Sequence, residues 1–213
     1  MHPEVALKRI ALALTFAAMA ACTSPDQSFF IYRLPYEDGT DVLVSQDHLT
    51  HSLPFALDLA GQNGSVYRIV AARPGIVRFI RDEFSDNCDP DVEQCTNNYV
   101  WIQHEPGDEW SKYSHVATGT VTGAPPFGAG LAEDDAVVAG QFLGNEGNVG
   151  MATGPNDGRH LHFEVVIPDD PNPSKPMGFV GDFPYEARIP RFCHVPGAIA
   201  VDGQTYTAGP CPR

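Results

Sequence analysis

Three short stretches of the 213-residue sequence carry side chains whose types and spacing suit the binding of a metal ion. In the first, His160, His162 and Glu164 alternate with Leu161, Phe163 and Val165. Residues two apart in a strand share a face, so two imidazoles and a carboxylate stand over one side while the apolar set enters the core. Such a face is either a metal site or the polar side of a half-exposed strand. In the second stretch, His48 and His51 precede Phe55-Ala-Leu-Asp58-Leu-Ala60. There Phe55, Leu57 and Leu59 share one strand face, and Ala56, Asp58 and Ala60 the other. A carboxylate among small residues in an apolar strand is costly unless a cation or hydrogen-bond donors compensate it. The third runs from Tyr99-Val-Trp-Ile-Gln-His104 through a polar turn to Tyr113-Ser-His115. It reads as a hairpin that returns His115 to the sheet, with His104 a structural strand histidine.

These side chains need strands to position them, and strands are what the chain offers. The 20 glycines and 19 prolines favour strands and turns over long helices. β-branched and aromatic runs recur at 29–32, 55–59, 66–71, 76–80, 99–103 and 161–167, separated by Gly, Pro, Asn and Asp. No window after the first 22 residues shows a helical period. The fold class is therefore all-β, mainly antiparallel, with a barrel-like sandwich arrangement and little helix. Glycines at 144, 147, 150 and 154 do not form a phosphate loop, because no Lys-Ser or Lys-Thr follows them. They read as turns that shape a cleft wall.

Taken in order, the motifs resemble the lysostaphin/LytM-type zinc endopeptidases, which cut peptidoglycan cross-links. The resemblance runs from about residue 42 to 166. It rests on His51 before Ala56-Leu-Asp58-Leu, on Ile69-Val-Ala-Ala-Arg-Pro-Gly75-Ile-Val77, on Asn98 to His104, and on Tyr113-Ser-His115. Gly140-Gln-Phe-Leu-Gly144 through Gly154-Pro155 and His160-Leu-His-Phe-Glu-Val165 complete it. It implies that His51, Asp58 and His162 bind Zn2+, and that His115 and His160 are catalytic histidines beside the metal. It does not divide acid and base roles between these two, and His48 stays an alternative first ligand, although His51 is favoured with His48 in solvent. The insertion Asn156-Asp-Gly-Arg159 departs from the family's usual run of Gly-Pro straight into the paired histidines. The implied partners are the stem and cross-link peptides of peptidoglycan. Rival readings are an envelope scaffold that activates another wall hydrolase, and a zinc protease acting on secreted proteins.

Outside that region, residues 1–22 read as an export signal. Lys8-Arg9 precedes a short apolar run ending at Ala20-Ala21-Cys22. This resembles a lipoprotein signal with Cys22 lipidated, although ordinary cleavage near Ala21 is an alternative. Localisation is thus expected in the periplasm or cell envelope, with the outer membrane favoured and membrane contact only through a lipid on Cys22. A formal charge of −14 argues against nucleic acid as a partner. Residues 23–40 read as tether and first strand, 41–167 as the metallopeptidase domain, and 168–213 as a Pro-rich, Cys-bounded extension. Four cysteines besides Cys22 suggest two disulfides in an exported chain. Spacing favours Cys88–Cys95 and Cys193–Cys211 among the three possible connectivities. The acidic stretch 86–93 then reads as a disulfide-closed hairpin tip rather than a calcium loop.

Overall fold

The computed structural model describes residues 26–88, 95–106, 108–154, 157–178 and 182–212. The export signal and Cys22 lie outside these residues, as do 89–93 of the acidic stretch. Nearly everything described is strand or turn, and the one helical element among the described residues is a short 3-10 turn at Pro196–Ala198. The chain is all-β, as its Gly, Pro and β-branched content requires.

The main sheet is built around β10 (Leu161–Pro168). One edge of β10 pairs antiparallel with β7 (Trp110–Ser114), which continues to β6 (Tyr99–Gln103) and β5 (Gly75–Arg81). A two-residue β8 (Ala136–Val137) closes that side. The other edge of β10 is shared. Its first half pairs with β3 (Leu57–Gly61), and its second half with β11 (Tyr185–Phe192). Beyond β3 come β2 (Asp41–Gln46) and β12 (Thr205–Thr207). β1 (Gln27–Tyr32) pairs with β11 in parallel, the exception in an otherwise antiparallel sheet. A separate two-stranded sheet joins β4 (Arg68–Val70) to β9 (Phe142–Asn145).

The alternation expected along β10 separates its two faces. Leu161, Phe163 and Val165 enter the main core with Leu57, Leu59, Tyr113 and Val100. Val166, on the opposite face, packs in a second cluster with Tyr99, Trp101, Trp110 and Phe183. Between that second cluster and the open end of the sheet, the same face carries Glu164 and His162.

Two local expectations need correction. The strand expected to begin at Phe55 begins at Leu57, because Phe55 has φ 62° and closes the turn that follows Pro54. A left-handed backbone at an aromatic residue is uncommon and ends strand geometry there. His48 is half-buried rather than solvent-exposed, and its Nδ1 is buried without a hydrogen-bond partner. Both disulfides favoured by spacing form, Cys88–Cys95 and Cys193–Cys211. His104 is wholly buried, with Nδ1 against Pro74 O and Nε2 against Ser111 Oγ, far from any ligand role.

Candidate metal centre

Strand register brings the key groups together. His162 on β10 is the Cα partner of Asp58 on β3 and of Ser114 on β7. His115 follows directly after Ser114, so the ends of three adjacent strands meet at one point. His51 arrives from the turn after β2. That turn is fixed by Asp47, whose carboxylate accepts the backbone N–H groups of Leu49 and Thr50. His160 precedes β10 and bridges to Gly147, donating its N–H to Gly147 O at 3.2 Å.

Three imidazoles converge on one carboxylate oxygen. Asp58 Oδ1 lies 3.4 Å from His51 Nε2, 3.4 Å from His160 Nε2 and 3.2 Å from His162 Nδ1. Burial alone would raise the Asp58 pKa. Hydrogen bonds from His160, His162 and His51 outweigh it and hold the carboxylate far below its usual range. One ligand atom from each of His51, Asp58 and His162 fits within a 4.8 Å group. A tetrahedral zinc ion with bonds of about 2.0–2.2 Å sets its ligand atoms roughly 3.3–3.6 Å apart, so the separations of His51 and His162 from Asp58 suit that ion. Two imidazoles and one carboxylate also leave the fourth position of a catalytic site open.

The ring environments distinguish the histidines further. His162 Nε2 faces Glu164 at 2.9 Å and donates to it, which leaves Nδ1 to face Asp58. Burial would lower the His162 pKa, but its hydrogen bonds to Asp58 and Glu164 raise it to about 8, so a proton and a metal compete for Nδ1. His51 Nδ1 accepts the Leu53 N–H at 2.9 Å. Its neutral ring therefore carries the proton on Nε2, and that proton must leave, with the ring released from Leu53, before Nε2 can act as a ligand.

His160 and His115 are oriented differently. His160 Nδ1 donates to Gly158 O at 2.8 Å and His115 Nδ1 donates to Val149 O at 2.7 Å. A carbonyl only accepts, so each ring carries a proton on Nδ1. Neutral His115 thereby exposes a lone pair on Nε2, whereas His160 Nε2 faces Asp58 Oδ1 as a donor and offers a lone pair only once that contact is given up. Burial, followed by the neighbouring His160 and His162, pushes the His115 pKa well below the imidazole value. The two rings lie 4.6 Å apart between centroids. His115 has φ 65°, a conformation in which His, Asn and Asp are enriched. This kink turns its ring from the end of β7 toward the cleft.

The cleft is about 390 Å³ and is lined by this histidine–aspartate cluster together with Leu53, Met151, Thr153 and Cys95. Apart from the cluster, its lining among the described residues carries no charge. Gly147 forms part of the packing behind His115 and His160. A Cβ there would come within 2.7 Å of both His115 O and Ala117 N. Gly147→Ala is therefore expected to destabilise the fold by about 1–3 kcal/mol, the usual range for overpacking. Denaturant unfolding measures this, and an unchanged midpoint would show that the backbone yields there.

The structure thus brings together all five residues expected from sequence: His51, Asp58, His115, His160 and His162. Glu164 was visible as their face-mate. Lys112, Asp182 and Tyr185, which contact Glu164 or its partner, were not foreseen. Lys112 carried one weak signal, a cation in a strand whose neighbours Trp110 and Tyr113 are core residues.

The family model for Peptidase family M23 matches residues 54–175. His51 lies just ahead of that match. Among curated proteins, none matches the chain significantly. Several solved structures are similar. The SpoIIQ–SpoIIIAH pore-forming complex includes a chain with 18% identity and a TM-score of 0.44, over 65% of this chain and 84% of that one. The deep-sea M23 metalloprotease pseudoalterin shows 16% identity and 0.40, over 66% and 72%. A variant catalytic domain of the prophage-encoded M23 protein EnpA from Enterococcus faecalis shows 21% and 0.40, over 74% and 100%. All three TM-scores lie below 0.5, too low to carry an inference about this chain.

Proposed function

Because this chain belongs to peptidase family M23, we propose that it is a zinc-dependent endopeptidase that cleaves peptide cross-links of bacterial peptidoglycan in the cell envelope. The observation that carries this reading is the convergence of His51, His160 and His162 on Asp58 Oδ1, with the His115 ring set edge-on against His160. The complete set favours an enzyme over a vestigial scaffold.

His51, Asp58 and His162 would hold the metal. When bound there, zinc supplies a Lewis acid that polarises a carbonyl and acidifies water. The rest of the chemistry belongs to the chain. With Asp58 engaged by the metal, His160 Nε2 would be released from it, so His160 or His115 presents the lone pair that accepts a proton from entering water and returns it to the departing amine. Once protonated, either becomes a donor to the tetrahedral oxyanion. The carbonyls of Gly158 and Val149 keep both rings in this orientation throughout. Neutral walls of Leu53, Met151 and Thr153 suit an uncharged stretch of peptide backbone.

The test compares purified peptidoglycan and casein as substrates, with and without a chelator. Chelator-sensitive release of wall peptides, with casein untouched, is the expected result. Casein cleavage alone would replace this substrate class with secreted proteins. No cleavage by a zinc-replete protein would leave the envelope scaffold as the better reading.

A further inference from the structure

The sheet face that bears His162 does not end at the metal centre. Glu164 is the next residue on that face, and its Cα partner across the sheet is Lys112 on β7. Lys112 Nζ lies 3.2 Å from Glu164 Oε1 and also pairs closely with Asp182. Tyr185 donates its hydroxyl to Glu164 Oε2 at 2.7 Å. Lys112, Glu164 and His162 are almost wholly buried. What seals them in is the chain around Asp182 to Tyr185: Phe183 packs on Trp101 at 4.9 Å between ring centroids and on Trp110 at 5.8 Å. All of this segment lies beyond residues 54–175, the span matched by the family model.

We infer that the segment 182–185 is a working part of the metal centre, with Asp182 and Tyr185 as positioning residues that act on the metal ligand His162 through Lys112 and Glu164. This rests on the proposed zinc site and deepens it. A ligating imidazole is more basic, and its ring better fixed, when its second nitrogen donates to a carboxylate. Glu164 is that carboxylate, and its charge is set by competition. Lys112 and Tyr185 draw on it from two sides, while Asp182 engages the Lys112 ammonium. Removing the Asp182 charge leaves more of the Lys112 ammonium to Glu164, which weakens the pull of Glu164 on the His162 Nε2–H and makes Nδ1 a poorer donor.

The experiment measures zinc dissociation constants at pH 7.5 by competition with a fluorescent chelator, for the whole chain and for Asp182→Asn, Asp182→Glu and Glu164→Gln. Cobalt absorption spectra and melting curves are recorded alongside. Outer partners of metal ligands typically change affinity about 10–100-fold. Glu164→Gln is expected to fall in that range and Asp182→Asn to lose about tenfold, each with a shifted cobalt band. Asp182→Glu should restore both. Unchanged affinities and spectra would overturn the inference, as would losses that merely track the fraction unfolded with the cobalt band fixed. A parent chain that binds no zinc would overturn the zinc reading itself, and this inference with it; that result is read before any variant is compared.

Discussion

Asp58→Asn is expected to leave the chain folded but without tightly held zinc and without cleavage. The substitution preserves volume and one oxygen, so β3 keeps its place between β2 and β10. What disappears is the single negative charge on which His51, His160 and His162 converge. An amide oxygen is a neutral and weaker ligand, and the remaining donors become two imidazoles with no charge to offset the dication. The affinity loss should exceed the roughly 10–100-fold typical of residues behind the ligands. Metal analysis after dialysis, set beside a melting curve, measures both halves of the claim. A variant that stayed zinc-replete and active would remove Asp58 from the ligand set. One that failed to fold would show instead that the half-buried carboxylate is a structural requirement for the three histidines around it.

Much of this centre was legible because its parts follow local periodicity. Alternation along residues 160–165 separates His162 and Glu164 from Leu161, Phe163 and Val165, and the structure divides them in the same way. A two-residue period needs only the strand itself to be true. The turn at Phe55 was not legible on those terms. Phe55 has the residue type of a strand and sits in phase with Leu57, yet the chain uses it with positive φ to bring His51 back over Asp58. Register was also hidden. The pairing of His162 with Asp58 joins residues 104 apart in sequence, and no local signal specifies which strands become neighbours.

The extension shows a different limit. Residues 168–213 look like a proline-broken tail, with little of the periodicity that marks a core strand. Nonetheless β11 continues the edge of β10 where β3 leaves it, and Phe183 covers two tryptophans. The need for such a cover could be inferred only from the far side of the sheet. There Trp101, Trp110 and Lys112 form a face that could not stay open to water without exposing two indoles.

His160→Ala and His115→Asn are each expected to keep zinc and to lower cleavage by about 10²–10⁴-fold, the usual worth of a positioned proton-transfer group. Neither ring belongs to the group of mutually close ligand atoms formed by His51, Asp58 and His162, so metal content should hold. Asn is chosen at 115 because it tolerates the left-handed backbone found there, while its short side chain withdraws the ring nitrogen from the cleft. The two losses should not add. With centroids 4.6 Å apart and both Nδ1 protons held by backbone carbonyls, the histidines handle one proton between them, and groups that act as a unit are strongly non-additive. The double variant should therefore fall little below the worse single one. Rates that multiplied would mean that the two rings serve separate steps, one at the attacking water and the other at the leaving amine. Loss of zinc in His160→Ala would be more serious: it would make His160, already 3.4 Å from Asp58 Oδ1, a ligand, and it would leave His115 as the one histidine of the cluster free to move a proton.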